Sequence, residues 1–261
     1  MEEAVALSAP AKLTLRLSVT GVRSDGYHEI EAEMVSLDLC DTLEVSPGDG
    51  LEVIDAVRWW GYGPSAQAVP LGENLVKRAL ETCGRKAFVR LTKRIPAGAG
   101  LGGGSSDAAA VLRWAGWSDV VAAAQIGADV PFCLVAGRAR VSGIGEVVEP
   151  LPLRELRSFL LVTPRLHVST PAVYGAWDGL GGPKGDFGND LEPAALALLP
   201  GLRWWRDVLA AAAGERPRLA GSGGTWFVEG QRARLERLAE QVRSEVVAGR
   251  EGALVEVVTA G

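Results

Sequence analysis

Residues 96–109 read PAGAGLGGGSSDAA, with glycines at 98, 100, 102, 103 and 104 followed by Ser105-Ser106-Asp107. Glycine at that density lets the backbone take left-handed conformations and approach a ligand with no Cβ in the way. The preceding KAFVRLTKRI (86–95) alternates as a strand does, and the following DAAAVLRWAGW (107–117) is rich in helix formers. Ser105 and Ser106 fall where helix caps belong. Strand, glycine run and helix N-terminus together make an anion site, because unpaired N–H groups and the positive end of the helix dipole converge there. A plain flexible loop needs neither the abutting strand nor the capped helix. The lysine-bearing phosphate loop is excluded, since Ser105 rather than lysine follows Gly104. The dinucleotide-binding fingerprint fits no better: it wants an acidic residue at a strand end about 20 residues on, and Asp129, near that spacing, follows a helix. The positive charge this loop lacks must come from elsewhere.

Composition bounds the answer. A chain of 261 residues, 48% hydrophobic and 23% charged, can bury a proper core and has too many charges for a membrane protein. Its net charge of −5 argues against non-specific nucleic-acid binding and against a membrane surface, both of which favour basic clusters. Cys40, Cys83 and Cys133 are odd in number and widely spaced, which fits neither a disulfide framework nor a zinc site and predicts a reduced compartment. Two histidines, His28 and His167, exclude a His-rich metal centre. MEEAVALSAPAK lacks the apolar core of a signal peptide, and no apolar run reaches about 18 residues. The expectation is a soluble cytoplasmic protein.

Working outward, KLTLRLSV (12–19) alternates Leu13, Leu15, Leu17 and Val19 against Lys12, Thr14, Arg16 and Ser18, which predicts a half-buried strand. Asp25-Gly26 punctuates a turn, and AEMVSLDL and DTLEVS read as two strands about a turn at Asp41. A helix is expected in GENLVKRALETCGR, ending at Gly84, a short one in SDVVAAAQI, and a hairpin about Gly143-Ile144-Gly145. Pro150 and Pro152 bracket a domain boundary. Beyond them strands and helices interleave: SFLLVTP, a helix from STPAVYGAW, a glycine-rich loop (179–188), WWRDVLAAAAG, RLAGSGGTWFVEG, a long polar helix (231–249) and GALVEVV. This is an α+β pattern in two sub-domains. Trp59-Trp60 and Trp204-Trp205 are read as packing residues, His167 as a strand-end residue without catalytic duty, and QRARLERLAEQVRSE as a solvated amphipathic helix.

PAGAGLGGGSSDAA resembles the phosphate loop of the GHMP kinase superfamily, and three further stretches agree in order: APAKLTLRL (9–17), GADVPF (127–132) and LAGSGGTWFV (219–228). DGYHEIEAEMVSLDLCDTL, GIGE, TPAVY and NDLE narrow the resemblance to the branch that phosphorylates a cytidine-diphosphate-linked alcohol in the non-mevalonate isoprenoid route. The resemblance spans most of the chain. It implies an N-terminal ribosomal-protein-S5-domain-2-like ATP-binding domain over 1–152 and a C-terminal ferredoxin-like α/β sandwich over 153–261.

By that resemblance ATP and Mg²⁺ are expected, with Lys12 and Asp129 at the transferring phosphate and Asp129 acting as general base or electrostatic anchor. Pro96, Ala97, Gly98, Ala99, Gly100, Leu101, Gly102, Gly103, Gly104, Ser105 and Ser106 would line the ATP phosphates, and Asn74 would border the nucleotide base. Ser105 or Ser106 would reach Mg²⁺ or a phosphate oxygen. Tyr27 and Tyr174 would stack on cytosine, His28 would bond its edge, and Thr14 and Thr170 would hold the rest of the substrate. The expected partners are this small molecule and ATP, with neither nucleic acid nor membrane; monomer and homodimer stay open. Three departures stand out: Thr14 where the superfamily branch has asparagine, a short segment between Ser106 and Gly127, and a short region around 61–72 that helps wall the adenine site in relatives. Another small-molecule kinase of this superfamily, acting on homoserine, mevalonate or a sugar, and a non-catalytic nucleotide-binding homologue are the competing readings.

Overall fold

A computed structural model describes residues 4–60, 74–152, 155–247 and 252–260. The expected short region at 61–72 lies outside them. The chain runs β1 (Val5–Val22), β2 (His28–Ser46), β3 (Gly50–Asp55), α1 (Leu75–Thr82), β4 (Phe88–Lys93), α2 (Gly103–Trp114), α3 (Val120–Ala123), α4 (Val130–Val135), β5 (Arg138–Gly143) and β6 (Val147–Leu151). It continues through β7 (Arg157–Pro164), α5 (Thr170–Gly179), α6 (Glu192–Leu198), α7 (Gly201–Ala213), β8 (Arg218–Leu219), β9 (Trp226–Gly230), α8 (Arg232–Val247) and β10 (Ala253–Ala260). The first six strands form one sheet, ordered β3-β4-β2-β5-β6 with β1 also on β2; the other four form a second, ordered β10-β7-β9-β8. No helix among the described residues is long and apolar enough to cross a membrane.

β2 organises the first sheet. One edge pairs antiparallel with β1 from His28 to Val45; the other takes β5 along Ile30–Val35 and β4 along Thr42–Ser46. The two strands expected around Asp41 are therefore one strand, and Asp41 is no turn residue. It is fully buried in the gap between β5 and β4, where its carboxylate accepts the Arg94 and Ile95 N–H groups and pairs with the Lys93 ammonium. A local reading sees a turn former; here the carboxylate collects the N–H groups that β4 leaves unpaired as it turns into the glycine loop.

β1 is buried on both faces at its loop end. Leu13, Leu15, Leu17 and Val19 are buried as expected, but so are Lys12 and Thr14, while Arg16 and Ser18 are exposed. The ladder with β2 is irregular between Pro10 and Lys12, and the Lys12 N–H is given to Leu101 O at 2.9 Å instead. The ladder resumes at Lys12 opposite Ser36, so the irregularity frees one N–H for the glycine loop without parting the strands.

α2 lies against the first sheet with Ala108, Ala109, Ala110, Val111 and Leu112 buried among Met34, Val89 and Leu91. In the second sheet β7 splits by its two-residue period. Leu160 and Val162 join Trp205, Leu209, Trp226, Leu235 and Val242 under α7 and α8. Phe159 and Leu161 join Leu13, Val35 and Leu37 from the first sheet and Ile95 and Leu101 from the loop after β4. That last cluster packs the two sheets together and seats the glycine loop between them. Asp41→Ala should lower the unfolding free energy by about 3–5 kcal/mol, because it leaves a buried ammonium and two N–H groups unmatched; urea denaturation followed by circular dichroism measures it.

Candidate active site

A cleft of about 1350 Å³ runs between the sheets, lined at its centre by Lys12, Thr14, Gly98, Gly100, Gly102, Gly103, Gly104, Ser105 and Asp129. Helix α2 begins at Gly103, with Gly102 as a left-handed cap at φ 66°. Ser105 and Ser106 therefore lie inside the first turn rather than capping it, and no side chain covers the free N–H groups. Those of Gly103, Gly104 and Ser105 have no intrahelical acceptor, which leaves a helix N-terminus open to the cleft. The expected serines separate: Ser105 lines the cleft, whereas Ser106 is 1% exposed and its hydroxyl donates to Pro10 O at 2.6 Å. Its proton is thus committed to Pro10 O. Leu101 points into the core, so only its backbone belongs to the loop's outer surface.

The glycines answer to contacts as well as to dihedrals. A Cβ on Gly102 would sit 2.7 Å from Lys12 Cγ, and one on Gly100 would sit 2.5 Å from Ala220 O and 2.6 Å from Gly223 O. The second glycine turn, 221–224, is pressed against the first. Thr225 Oγ1 donates to Ala99 O at 2.8 Å, and Asn189 Nδ2 holds the turn from behind through Leu219 O and Gly221 O.

Between the two turns the Lys12 ammonium reaches Asp129 Oδ2 at 3.2 Å and Thr14 Oγ1 at 3.1 Å. Lys12 is 4% exposed, so its charge is withdrawn from bulk water and met by protein oxygens. Asp129 occupies the N-cap position of α4 yet makes no capping hydrogen bond. Its carboxylate is turned to the lysine.

At one end of the cleft stand Tyr27, His28, Tyr174 and Asp178. Tyr27 is exposed at the β1–β2 turn. The His28 and Tyr174 rings lie 4.7 Å apart, Trp177 meets the imidazole edge-on, and His28 Nε2 is 2.8 Å from Asp178 Oδ1. Burial, with a smaller contribution from Asp129, holds the Tyr174 phenol well above its ordinary pKa, so the hydroxyl stays protonated. Thr170 lines the same cleft and shares a 2.8 Å hydrogen bond with Ser222. At the other end Pro96, Ala97 and Asn74 line the wall with Val57, Trp59, Arg165 and His167. Asn74 caps α1 by accepting from Val76 N at 2.9 Å. Trp59, expected only to pack, lines the cleft, and the Arg165 guanidinium lies 5.5 Å from its ring centre.

Sequence reasoning missed the charges beneath the loop. Lys93 bridges Asp41 and Asp107 under the start of α2, and Asp107 Oδ1 is buried with no partner. Burial pushes the Asp107 carboxyl up to about 7, with the Asp41 charge adding to it and the Lys93 ammonium opposing it. Burial works against the Lys93 charge, but the two carboxylates outweigh it and its pKa is raised. A signal was present in that Asp107 closes the glycine motif, but its partners lie 14 and 66 residues away in the chain and only the fold unites them.

A glycine turn feeding an open helix N-terminus, facing a buried lysine–carboxylate pair between two sheets, defines a phosphotransferase site of the GHMP kinase fold. The family described as GHMP kinases N terminal domain matches residues 74–137. The 4-diphosphocytidyl-2-C-methyl-D-erythritol kinase of Paracoccus denitrificans is 39% identical over 238 residues, covering 84% of this chain and 85% of its own. The enzyme of the same name from Paramagnetospirillum magneticum is 38% identical over 257 residues, covering 85% and 87%. A crystal structure of 4-(cytidine 5'-diphospho)-2C-methyl-D-erythritol kinase superposes with a TM-score of 0.73 at 33% identity, covering 98% of this chain and 100% of that one. The chain belongs to the 4-diphosphocytidyl-2-C-methyl-D-erythritol kinase family of GHMP kinases.

Two outcomes follow from this geometry. Gly102→Ala should displace Lys12 and lower turnover by about tenfold or more, since the new methyl meets the lysine stem in a left-handed backbone; steady-state ADP release checks it. For Asp107 the native pKa lies above the unfolded value near 3.8. The native state therefore binds more protons than the unfolded chain across about pH 4 to 7, and stability falls as pH rises through that window. Asp107→Asn removes this loss, so its urea midpoint relative to wild type should climb between about pH 4 and 7 and level off above.

Proposed function

We propose that the chain transfers the γ-phosphate of ATP to a hydroxyl of 4-diphosphocytidyl-2-C-methyl-D-erythritol, the one on carbon 2. The observation that carries the chemistry is the Lys12–Asp129 pair at 3.2 Å beside the open N-terminus of α2. Phosphoryl transfer asks for positioning and charge neutralisation more than covalent help. The loop from Pro96 to Ser105 holds the phosphates by backbone N–H groups. Asp129 orients the acceptor hydroxyl and receives its proton, and Lys12 steadies the charge that develops on the attacking oxygen and on the phosphoryl group.

Mg²⁺ fits the donors present. It takes hard oxygen ligands, often one or two carboxylates plus phosphates and water. The Asp129 carboxylate, a third exposed, and the Ser105 hydroxyl are such donors on the cleft wall. When bound, the ion neutralises charge on the β- and γ-phosphates. The nucleobase of the acceptor lies among Tyr27, His28 and Tyr174, with Thr14 and Thr170 towards the phosphates and the alcohol. Asn74 borders the ATP base.

The division into domains 1–152 and 153–261 is part of this reading, supported by β6 ending the first sheet at Leu151 and β7 opening the second at Arg157. A cytoplasmic setting is supported by the unpaired state of Cys40, Cys83 and Cys133.

The test is ADP release from MgATP with a panel of acceptors: the cytidylated alcohol, the same compound without its cytidine, homoserine, mevalonate and galactose. Turnover should be confined to the cytidylated acceptor and fall about 100-fold or more in Asp129→Asn and Lys12→Ala. Turnover of another acceptor would overturn the substrate assignment. ATP binding without turnover would favour a non-catalytic homologue.

A further inference from the structure

At the nucleobase end of the cleft, His28 is already committed on one side. Its Nε2 lies 2.8 Å from Asp178 Oδ1, on the last turn of α5. Tyr174 lies across one face of the imidazole and Trp177 meets it edge-on, so the side chain is 9% exposed and its ring cannot turn freely. An ionised carboxylate accepts hydrogen bonds and donates none. The proton of the neutral imidazole therefore sits on Nε2, and Nδ1 presents a bare lone pair. Among the described residues nothing donates to Nδ1. The sealed, unpartnered side-chain nitrogens and oxygens among those residues are Asp107 Oδ1 and Arg243 Nε alone. Nδ1 is not one of them, and His28 lines the cleft.

We infer that Asp178 is a positioning residue that fixes the tautomer of His28 and thereby makes this end of the cleft select an amino-bearing pyrimidine over an oxo-bearing one. The inference rests on the proposed cytidylated acceptor and adds how its base is told from uracil. Cytosine carries an N–H donor at its exocyclic 4-amino group, which an acceptor at Nδ1 satisfies. Uracil carries an oxygen at the same place, and two acceptors then face each other in a half-buried pocket. Tyr27 and Tyr174 supply stacking, which is indifferent to that exchange. The discrimination therefore falls on the imidazole, and through it on Asp178.

The experiment has two arms. In the first, the imidazole ¹⁵N shifts of the full chain are recorded at a pH alkaline enough that they no longer move. With His28 and His167 the only histidines, a His28→Gln sample assigns them. His28 should show a protonated Nε2 and a bare Nδ1 in the wild type and a tautomer mixture in Asp178→Asn, whose amide can donate or accept. In the second arm, kcat and KM are measured for the cytidylated acceptor and its uridylated counterpart. The wild type should prefer cytidine by about 10–100-fold, the scale of one misdirected buried hydrogen bond. The preference should reside in the acceptor KM. It should shrink to within about threefold in Asp178→Asn and return in Asp178→Glu, with the KM for ATP unmoved; the threefold bound corresponds to loss of that one bond.

A wild-type His28 protonated on Nδ1, or a cytidine preference that survives Asp178→Asn intact, would overturn the inference. If neither acceptor is phosphorylated, the proposed function fails. The tautomer measurement, with titration of CMP against UMP, then decides the inference by itself: preference for CMP lost in Asp178→Asn upholds it, and equal binding overturns it.

Discussion

Removing the Lys12 ammonium from water is the constraint on which the rest of this structure turns. A buried ammonium is tolerated only where oxygens meet it on several sides. Asp129 and Thr14 do so here. To bring it there, the β1–β2 ladder shifts register just before Lys12, and the Lys12 N–H goes to Leu101 O. The lysine stem then fills the space where any side chain at residue 102 would have to go. The left-handed turn at Gly102, the start of α2 one residue later and the open N–H groups beyond it all follow from that one placement. Fold and site are thus the same arrangement seen from two sides.

A second set of buried charges lies under the first. Asp41 gathers the two N–H groups released where β4 ends, and Lys93 ties it to Asp107 in the first turns of α2. Burial, opposed by the Lys93 ammonium and reinforced by the Asp41 charge, holds the Asp107 proton up to about pH 7 beneath the helix N-terminus. Retaining that proton removes a negative charge that would otherwise oppose an anion bound above the loop. The glycine loop presents neutral backbone, and Lys93 and Asp107 reach the cleft wall only at its foot.

The parts of this arrangement carried by local pattern were readable in the sequence. The glycine loop between strand and helix, the hairpin at Gly143–Gly145 and the alternation of Leu13 to Val19 are short-range signals. The loop and the hairpin stand as read, and the alternation holds from Leu15 to Val19 but gives way at Lys12 and Thr14, both buried. What could not be read depends on partners far apart in the chain. Asp41 has the composition of a turn and lies inside a 19-residue strand, because β5 and β4 share that strand's outer edge and leave a gap at its side chain. Ser105 and Ser106 have the composition of caps, yet Gly102 starts the helix earlier because Lys12, ninety residues upstream, excludes a Cβ there. Asp178 carries no motif of its own; it acquires a role from a contact that exists only once α5 packs beside β2.

The net charge of −5 raises the question of how such a chain favours ligands as anionic as ATP and a diphosphate. Long-range attraction between exposed charges is screened within about 10 Å in ordinary salt, so the global balance has little weight inside a cleft. What acts there is local. One buried ammonium and the unpaired N–H groups of one helix sit in surroundings of low polarity, where each is felt more strongly than in water. The two ends of the cleft need no net positive charge, since nucleobases are neutral. Placing positive potential locally, beside the glycine loop, lets an acidic protein hold polyanions. The same division bears on why the glycine loop can do without a lysine of its own: β1 places the Lys12 ammonium beside it in the same cleft, and in the proposed reaction that charge and the loop's bare N–H groups meet the phosphates from two sides.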